Sequence, residues 1–193
     1  DLIVIFEPDG SGDEQTWFTR FTQRLITAIS AETGEGRLYE VDMRLRPSGR
    51  AGPVATSIAA FKRYYQNEAW TWEHMALTRL RVVSGHAMLG QRVEGIAGTA
   101  ITSGENRPEQ DADILSMRQR LARDKPATST WDLKMREGGL IDLEFLVQRA
   151  LLEMTDPGLL STSLDTAIDA IDTASLYTRD EVKTLRDGWT LLQ

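Results

Sequence analysis

The segment RLYEVDMRLR at residues 37–46 alternates between apolar and charged side chains. A period of two is the pattern of a half-buried β-strand, so we expect a strand that ends at Pro47. The apolar face, which we expect to pack on a core, consists of Tyr39, Val41, Met43 and Leu45. The opposite face consists of Glu40, Asp42, Arg44 and Arg46. This strand is the element on which the expected sheet depends.

The charged face of this strand allows two interpretations. It is either a solvated edge with cross-strand ion pairs or a site for a charged ligand. The carboxylates come first and the arginines second, and the strand runs into a Pro-Ser-Gly-Arg loop at residues 47–50. Mg²⁺ prefers carboxylate oxygens and is shared with phosphates, which arginine binds in bidentate geometry. These residue types therefore favour phosphoryl or nucleotidyl transfer with two carboxylate-held Mg²⁺ ions.

Outward from this strand, the hydrophobic periodicity predicts an α/β first part followed by a helical second part. A β-branched run at residues 2–6 predicts a buried strand. Seven further stretches are predicted to be helical, and Thr178 with Glu181 predicts a capping box before the last helix. The predicted helices cover residues 14–31, 57–66, 68–82, 109–123, 141–154, 163–172 and 179–192. The polar stretch from Gly95 to Pro108 is expected to be a connection without regular structure.

Composition excludes several classes of protein. The chain has 193 residues, no cysteine and only two histidines, so disulfide scaffolds and thiolate chemistry are ruled out. The absence of cysteine is compatible with the cytoplasm. The net charge of −7 argues against general nucleic-acid binding, and no apolar run approaches the roughly 20 residues that span a bilayer. We therefore expect neither a nucleic acid nor a membrane as partner.

Several motifs together resemble the family of glutamine synthetase adenylyltransferases, also called glutamate–ammonia-ligase adenylyltransferases. They occur in the order of the family and cover most of the chain. The matching stretches are YEVDMRLRPSG at 39–49, FKRY at 61–64, EAWTWEH at 68–74, WDLK at 131–134 and GGLIDLEF at 138–145. The variant at 68–74 resembles the C-terminal of the two nucleotidyltransferase halves of the family.

The resemblance implies an enzyme half that transfers AMP from ATP to a tyrosine of glutamine synthetase. The other half of such a protein would remove the AMP. A PII-type signal protein and glutamine are implied as effectors of the whole enzyme. The implied fold is α+β, with a partial nucleotidyltransferase-type sheet and helices in residues 1–84, followed by an all-helical bundle of the uridylyltransferase type in residues 85–193.

The resemblance also implies the metal site. In the nucleotidyltransferase superfamily an Asp-x-Asp pair on one strand and a third carboxylate on another hold Mg²⁺. Asp1 matches the second Asp of the pair and Asp42 matches the third carboxylate, while Glu40 is either a further ligand or an exposed neighbour. The first Asp of the pair and the Gly-Ser turn before it have no counterpart in this sequence. We therefore expect this stretch to be inactive by itself.

The nucleotide-binding residues are predicted on both sides of this site. Arg44 and Arg46 are expected to bind phosphate or to orient Asp42, and Ser48 and Gly49 to lie in a loop near the nucleotide. In the second part of the chain, Lys134 is a candidate for the triphosphate. Asp142 is a candidate contact because Gly138-Gly139 is expected to leave backbone amides available at a helix start. Trp17, Trp70 and Trp72 are expected to serve core and interdomain packing rather than base stacking, and His74 is expected to be structural.

Two other functions remain open from the sequence. A related PII-type uridylyltransferase has a similar helical domain and would prefer UTP to ATP. A non-catalytic interaction module would use the charged strand to bind a partner, and Asp42→Asn would then leave metal binding unchanged.

Overall fold

The computed structural model describes residues 1–37, 39–102, 109–159 and 163–192. Within these ranges the chain is α+β, as expected, with helices predominating. The strands are β1 (Val4–Phe6), β2 (Glu32–Thr33), β3 (Gly36–Arg37) and β4 (Ala55–Ser57). The helices are α1 (Glu14–Ser30), α2 (Ile58–Asn67), α3 (Thr71–Leu77), α4 (Ala87–Thr102), α5 (Gln110–Asp124), α6 (Leu140–Leu152), α7 (Leu164–Thr173) and α8 (Arg179–Leu192). No helix in the described ranges is both long enough and apolar enough to cross a membrane.

The chain forms two compact units. The first contains residues 1–69 and 85–93, and the second contains residues 70–84 and 94–193. These bounds differ from the expected division at residues 84 and 85, because the segment 70–84 packs with the second unit and α4 contributes residues to both. The assignment of a nucleotidyltransferase domain and a uridylyltransferase-type bundle stays a prediction.

The first unit is built on two short parallel strands. Strand β1 pairs with β4 in the register Val4 to Ala55, and α1 packs on this pair. The Phe18 ring of α1 stacks on Phe6 at a centroid distance of 4.5 Å. The Gln15 side chain of the same helix donates to the Ala55 carbonyl oxygen at 3.0 Å. The predicted strand at residues 2–6 and the predicted helix at 14–31 are therefore confirmed, with small differences at their ends.

The predicted strand at 37–46 is wrong for the part that the structure describes. Strand β3 ends at Arg37, Leu38 lies outside the described residues, and residues 39–52 form an irregular loop with a single 3₁₀ turn. The physical reason is local, because the Asp42 carboxylate accepts the backbone N–H of Arg44 at 2.8 Å. Short polar side chains that bond nearby backbone groups compete with strand pairing in this way. Tyr39, which was expected on the core face, is exposed.

The second unit is a helical cluster around α6, α7 and α8. Its core combines apolar residues of all three helices, including Val147, Leu151, Ile168, Ile171 and Leu185. Helix α3 packs on α5 and α6. The capping box before α8 is confirmed, because the Thr178 N–H donates to Glu181 at 2.8 Å and the Glu181 N–H donates back to the Thr178 hydroxyl at 3.4 Å.

Two expectations about helical regions are wrong. The expected connection at 95–108 is helical as far as Thr102, and residues 103–108 lie outside the described part. Val93, Ala97, Ala100 and Ile101 form the buried face of this helix, which explains why its glycines are tolerated. Core packing of the tryptophans is the second error, since Trp17 and Trp70 are largely exposed in the structure and Trp72 is partly so. Their expected interdomain packing stays a prediction. His74 is buried, with Nδ1 3.1 Å from the Trp70 carbonyl oxygen, as a structural histidine would be.

Candidate metal and nucleotide site

Asp42 lies beside the first residues of the chain, next to the start of β1. The backbone N–H of Leu2 donates to the Asp42 carbonyl oxygen at 2.8 Å. This bond makes the backbones of Asp1 and Asp42 neighbours although the two residues are far apart in sequence. Asp1 is exposed and Asp42 is partly buried. The backbones of the two candidate metal ligands therefore lie together beside the start of β1.

The carboxylate of Asp42 is held by Arg44. Its Oδ1 accepts the Arg44 backbone N–H at 2.8 Å, and its Oδ2 accepts the Arg44 Nε–H at 2.6 Å. The Arg44 Nη2 also forms an ion pair with Oδ2. These hydrogen bonds, the side-chain bond above all, lower the pKa of Asp42 to about 2. Asp42 is consequently a carboxylate at neutral pH, which is the form that a hard cation needs.

Glu40 is exposed, and the structure does not gather it with Asp1 and Asp42. Within residues 1–37, 39–102, 109–159 and 163–192, no three His, Asp or Glu side chains are arranged to hold a metal ion. The hydrogen bond to Asp42 raises the pKa of Arg44, and the charge of Glu40 adds to this effect. Glu40 therefore acts on Arg44 electrostatically in this structure.

The chemistry of the donor set fits Mg²⁺. This ion retains several waters and is commonly held by one or two protein carboxylates together with substrate phosphates. Asp1 and Asp42 supply two carboxylates on adjacent backbones, and a nucleotide would supply the phosphates. A third carboxylate from the protein is not required by this coordination pattern. That these two residues hold a metal stays a prediction.

Arg46 has a different environment from Arg44. It is 9% exposed, and its guanidinium donates to the carbonyl oxygens of Met43 at 2.5 Å and Gly52 at 3.3 Å. Its Nη2 also approaches the Arg50 carbonyl oxygen at 3.5 Å. The loop of residues 43–52 is thus wrapped around this guanidinium. In the structure Arg46 holds the loop together, and its donors are directed at backbone oxygens rather than at solvent.

Ser48 and Gly49 form the tight turn of this loop. Both have left-handed backbone conformations, with φ of 59° and 51°, and the Gly49 N–H donates to the Arg46 carbonyl oxygen at 2.8 Å. Gly52 is needed for a separate reason, because a Cβ at this position would overlap the Pro47 carbonyl oxygen. Ser48 is exposed in this turn. The predicted contact of Ser48 and Gly49 with a nucleotide stays a prediction.

Asp142 belongs to the second unit, in the first turn of α6. Its carboxylate forms an ion pair with Arg118 of α5 and accepts the Gly138 N–H at 2.6 Å. Arg118 in turn donates to the Met135 carbonyl oxygen at 3.2 Å. In the structure Asp142 therefore holds the loop that precedes α6 and attaches α5 to the start of α6. Sequence reasoning missed Arg118, since no local pattern links it to a carboxylate 24 positions away.

The amides at the start of α6 are not available to a ligand, so that expectation is wrong. Gly139 N–H donates to the Arg136 carbonyl oxygen at 3.0 Å, Leu140 N–H to Leu133 at 2.9 Å and Ile141 N–H to Lys134 at 3.2 Å. The chain before the helix folds back and supplies these acceptors itself. Lys134 has an exposed side chain within this loop. Its predicted contact with a triphosphate is not tested by the structure.

Comparison with known proteins identifies the origin of these motifs. The family model described as Glutamate-ammonia ligase adenylyltransferase matches residues 1–96. This match includes Asp1, Asp42 and the loop around Arg46.

The chain is also similar to proteins named bifunctional glutamine synthetase adenylyltransferase/adenylyl-removing enzyme. The relative from Agrobacterium fabrum is 48% identical over 77% of this chain and 16% of that protein. The relative from Bradyrhizobium diazoefficiens is 43% identical over 96% of this chain and 20% of its own length. The relative from Rhodopseudomonas palustris is 39% identical over the whole chain and 21% of its own length. The chain thus spans about a fifth of the length of these relatives and belongs to the glutamate-ammonia ligase adenylyltransferase family.

Proposed function

We propose that this chain is part of a nucleotidyltransferase that transfers AMP from ATP to a tyrosine of glutamine synthetase. The observation that carries the proposal is the backbone hydrogen bond between Leu2 and Asp42, which makes the backbones of Asp1 and Asp42 neighbours. The names of the relatives support the protein substrate. The motif at residues 68–74 supports the C-terminal, adenylylating half rather than the half that removes AMP.

In this proposal Asp1 and Asp42 hold Mg²⁺, and Arg44 binds the phosphates of ATP. The metal, when bound, neutralises phosphate charge that would otherwise repel an attacking oxygen. The tyrosine hydroxyl loses its proton to water as its oxygen forms a bond to the α-phosphorus, and the bond between that phosphorus and the pyrophosphate oxygen breaks, so that pyrophosphate leaves. Arg46 contributes indirectly, because it fixes the loop that follows Asp42. The effectors that the resemblance implies, glutamine and a PII-type protein, belong to the same proposal.

The test is AMP incorporation into purified glutamine synthetase by the protein at the full length of its relatives. With α-labelled ATP and Mg²⁺, Asp42→Asn is expected to reduce incorporation by about 100-fold or more, since a carboxylate-held cation supplies several kcal/mol to the transition state. Asp172→Asn, at an exposed position of α7, is the matched control and should leave incorporation unchanged.

Three outcomes would contradict the proposal. Asp42→Asn with wild-type incorporation would remove the metal role and favour the interaction module. A preference for UTP over ATP would favour the uridylyltransferase. Robust incorporation by the 193-residue chain alone would contradict the expectation that this stretch is inactive by itself.

A further inference from the structure

Both oxygens of the Asp42 carboxylate are engaged by one residue, Arg44. The backbone N–H of Arg44 donates to Oδ1. Its guanidinium donates to Oδ2 through Nε and forms an ion pair with the same oxygen through Nη2. We propose that Arg44 is a competing counter-ion that leaves Asp42 when a divalent cation is bound and then presents its guanidinium to nucleotide phosphate. This inference rests on the proposed function and assigns Arg44 a role in coupling metal binding to phosphate binding.

The first argument is electrostatic. A guanidinium in contact with Oδ2 and a divalent cation on the same carboxylate repel each other, and each lowers the affinity of Asp42 for the other. The Oδ1 contact is different, because the backbone N–H of Arg44 carries no net charge and is fixed by the loop. Only the side chain of Arg44 must therefore move for the cation to bind.

The second argument is that Arg44 can move at small cost. Its side chain is 64% exposed, and the Asp42 side chain is 31% exposed. Exposed ion pairs of this kind contribute little to stability, so the pair can open without disturbing the fold. The guanidinium then retains its planar set of donors, which matches a phosphate in bidentate geometry.

The third argument is the contrast with Arg46, the other arginine of the motif. Arg46 is buried, and its guanidinium donates to carbonyl oxygens at both ends of the loop. Moving it would leave buried carbonyl groups without their donors, which costs more than opening an exposed pair. Of the two arginines in the sequence DMRLR, the structure therefore assigns the mobile role to Arg44 alone.

The experiment is a Mn²⁺ titration of the 193-residue chain followed by NMR line broadening at the Leu2 amide, which is bonded to Asp42. Arg44→Gln removes the competing charge and is expected to tighten Mn²⁺ binding by about two- to fivefold, the range that corresponds to an exposed ion pair. Arg44→Lys retains the charge and should stay close to the wild type. Arg50→Gln, at an exposed arginine of the same loop, should also leave the affinity unchanged.

A second readout follows Arg44 directly. On addition of Mg²⁺ to the wild-type chain, the Arg44 Nε–H resonance should shift toward the position of an exposed arginine. Unchanged or weaker Mn²⁺ binding in Arg44→Gln, with binding lost in Asp42→Asn, would overturn this inference and leave the metal assignment intact. No broadening at Leu2 in the wild type, or equal broadening in Asp42→Asn, would instead overturn Asp42 as a cation ligand and the inference with it.

Discussion

Two loops, one in each unit, are built from the same kinds of residue. The first loop (residues 43–52) surrounds Arg46 and contains Gly52, and the second loop (residues 131–142) is fastened by Arg118 and contains Gly139. In both, a guanidinium bonds backbone carbonyl groups, and a glycine allows two backbone segments to approach closely. The difference lies in the aspartate. Asp142 accepts the Gly138 N–H and pairs with Arg118, the arginine that holds its loop, whereas Asp42 pairs with a second, exposed arginine.

This difference separates a partly buried pair from an exposed one. The Arg118 and Asp142 side chains are 15% and 24% exposed, so their charges are shielded from water and fix the position of α6. Arg44 is much more exposed, and Asp42 lies beside the start of β1. The first loop therefore keeps a charged pair accessible to a ligand, while the second loop uses its pair internally.

The largest effects are expected at the two glycines. A Cβ at position 139 would overlap the Leu133 carbonyl oxygen, and one at position 52 would overlap that of Pro47. Because backbone atoms cannot move aside easily, Gly139→Ala and Gly52→Ala should each lower the free energy of unfolding by about 3 kcal/mol in urea denaturation. Gly34→Ala, where the added Cβ meets no atom within 4 Å, is the control and should change it by less than about 0.5 kcal/mol. Equal stability of all three variants would show that neither loop depends on close packing.

The two arginines of the ion pairs should differ in their effect on stability. Arg118→Gln leaves the partly buried Asp142 carboxylate without its counter-ion and should cost about 2 kcal/mol. Arg44→Gln removes an exposed partner and should cost less than about 0.5 kcal/mol. Urea denaturation of both variants under the same conditions measures the difference. A larger loss for Arg44→Gln would reverse the assignment of the structural and the accessible pair.

The smallest effect concerns the pH dependence of Asp42. Its folded-state pKa of about 2 lies below the ordinary value of 3.8, so its contribution to stability is present above about pH 3.8 and is lost as the pH falls toward 2. Arg44→Gln should raise this pKa part of the way toward 3.8 and weaken that dependence, because the exposed pair contributes little to stability and the backbone N–H of residue 44 still donates to the carboxylate. The change is followed by ¹³C NMR of the carboxyl carbon.

Asp132 of the second loop is the matched control for that titration. Backbone N–H groups of Met135 and Thr128 lower its pKa, so Arg44→Gln should not change it. A pKa of Asp42 that stays near 2 in Arg44→Gln would show that the backbone bond, rather than the guanidinium, holds the carboxylate ionised.

Most helices could be predicted from the sequence, because their signals are local. The periodicity of α1 and the capping box at Thr178 and Glu181 depend on residues within a few positions of one another. The strand predicted at 37–46 is wrong because of another local interaction. Its alternation is genuine, but the bond from Arg44 to Asp42 competes with strand pairing, and a sequence pattern does not give the relative strength of the two.

The candidate site was predictable only in part. The motif around Asp42 and the family that it indicates follow from the order of residues along the chain, and the comparisons confirm the family. Asp142 was included because a Gly-Gly pair precedes α6. The structure shows that the amides of this helix start bond the preceding loop instead, through contacts that join residues up to seven positions apart.

The sequence by itself determined which residue types are present, their spacing along each helix, and the family to which the motifs belong. Only the tertiary structure decided which of two similar arginines is buried and which is exposed, and which aspartate lies beside the start of β1. The physical reason is that periodicity and capping act over one or two turns of chain. The partners of Arg46, Arg118 and Asp42 are instead fixed by how loops close on themselves and on distant segments.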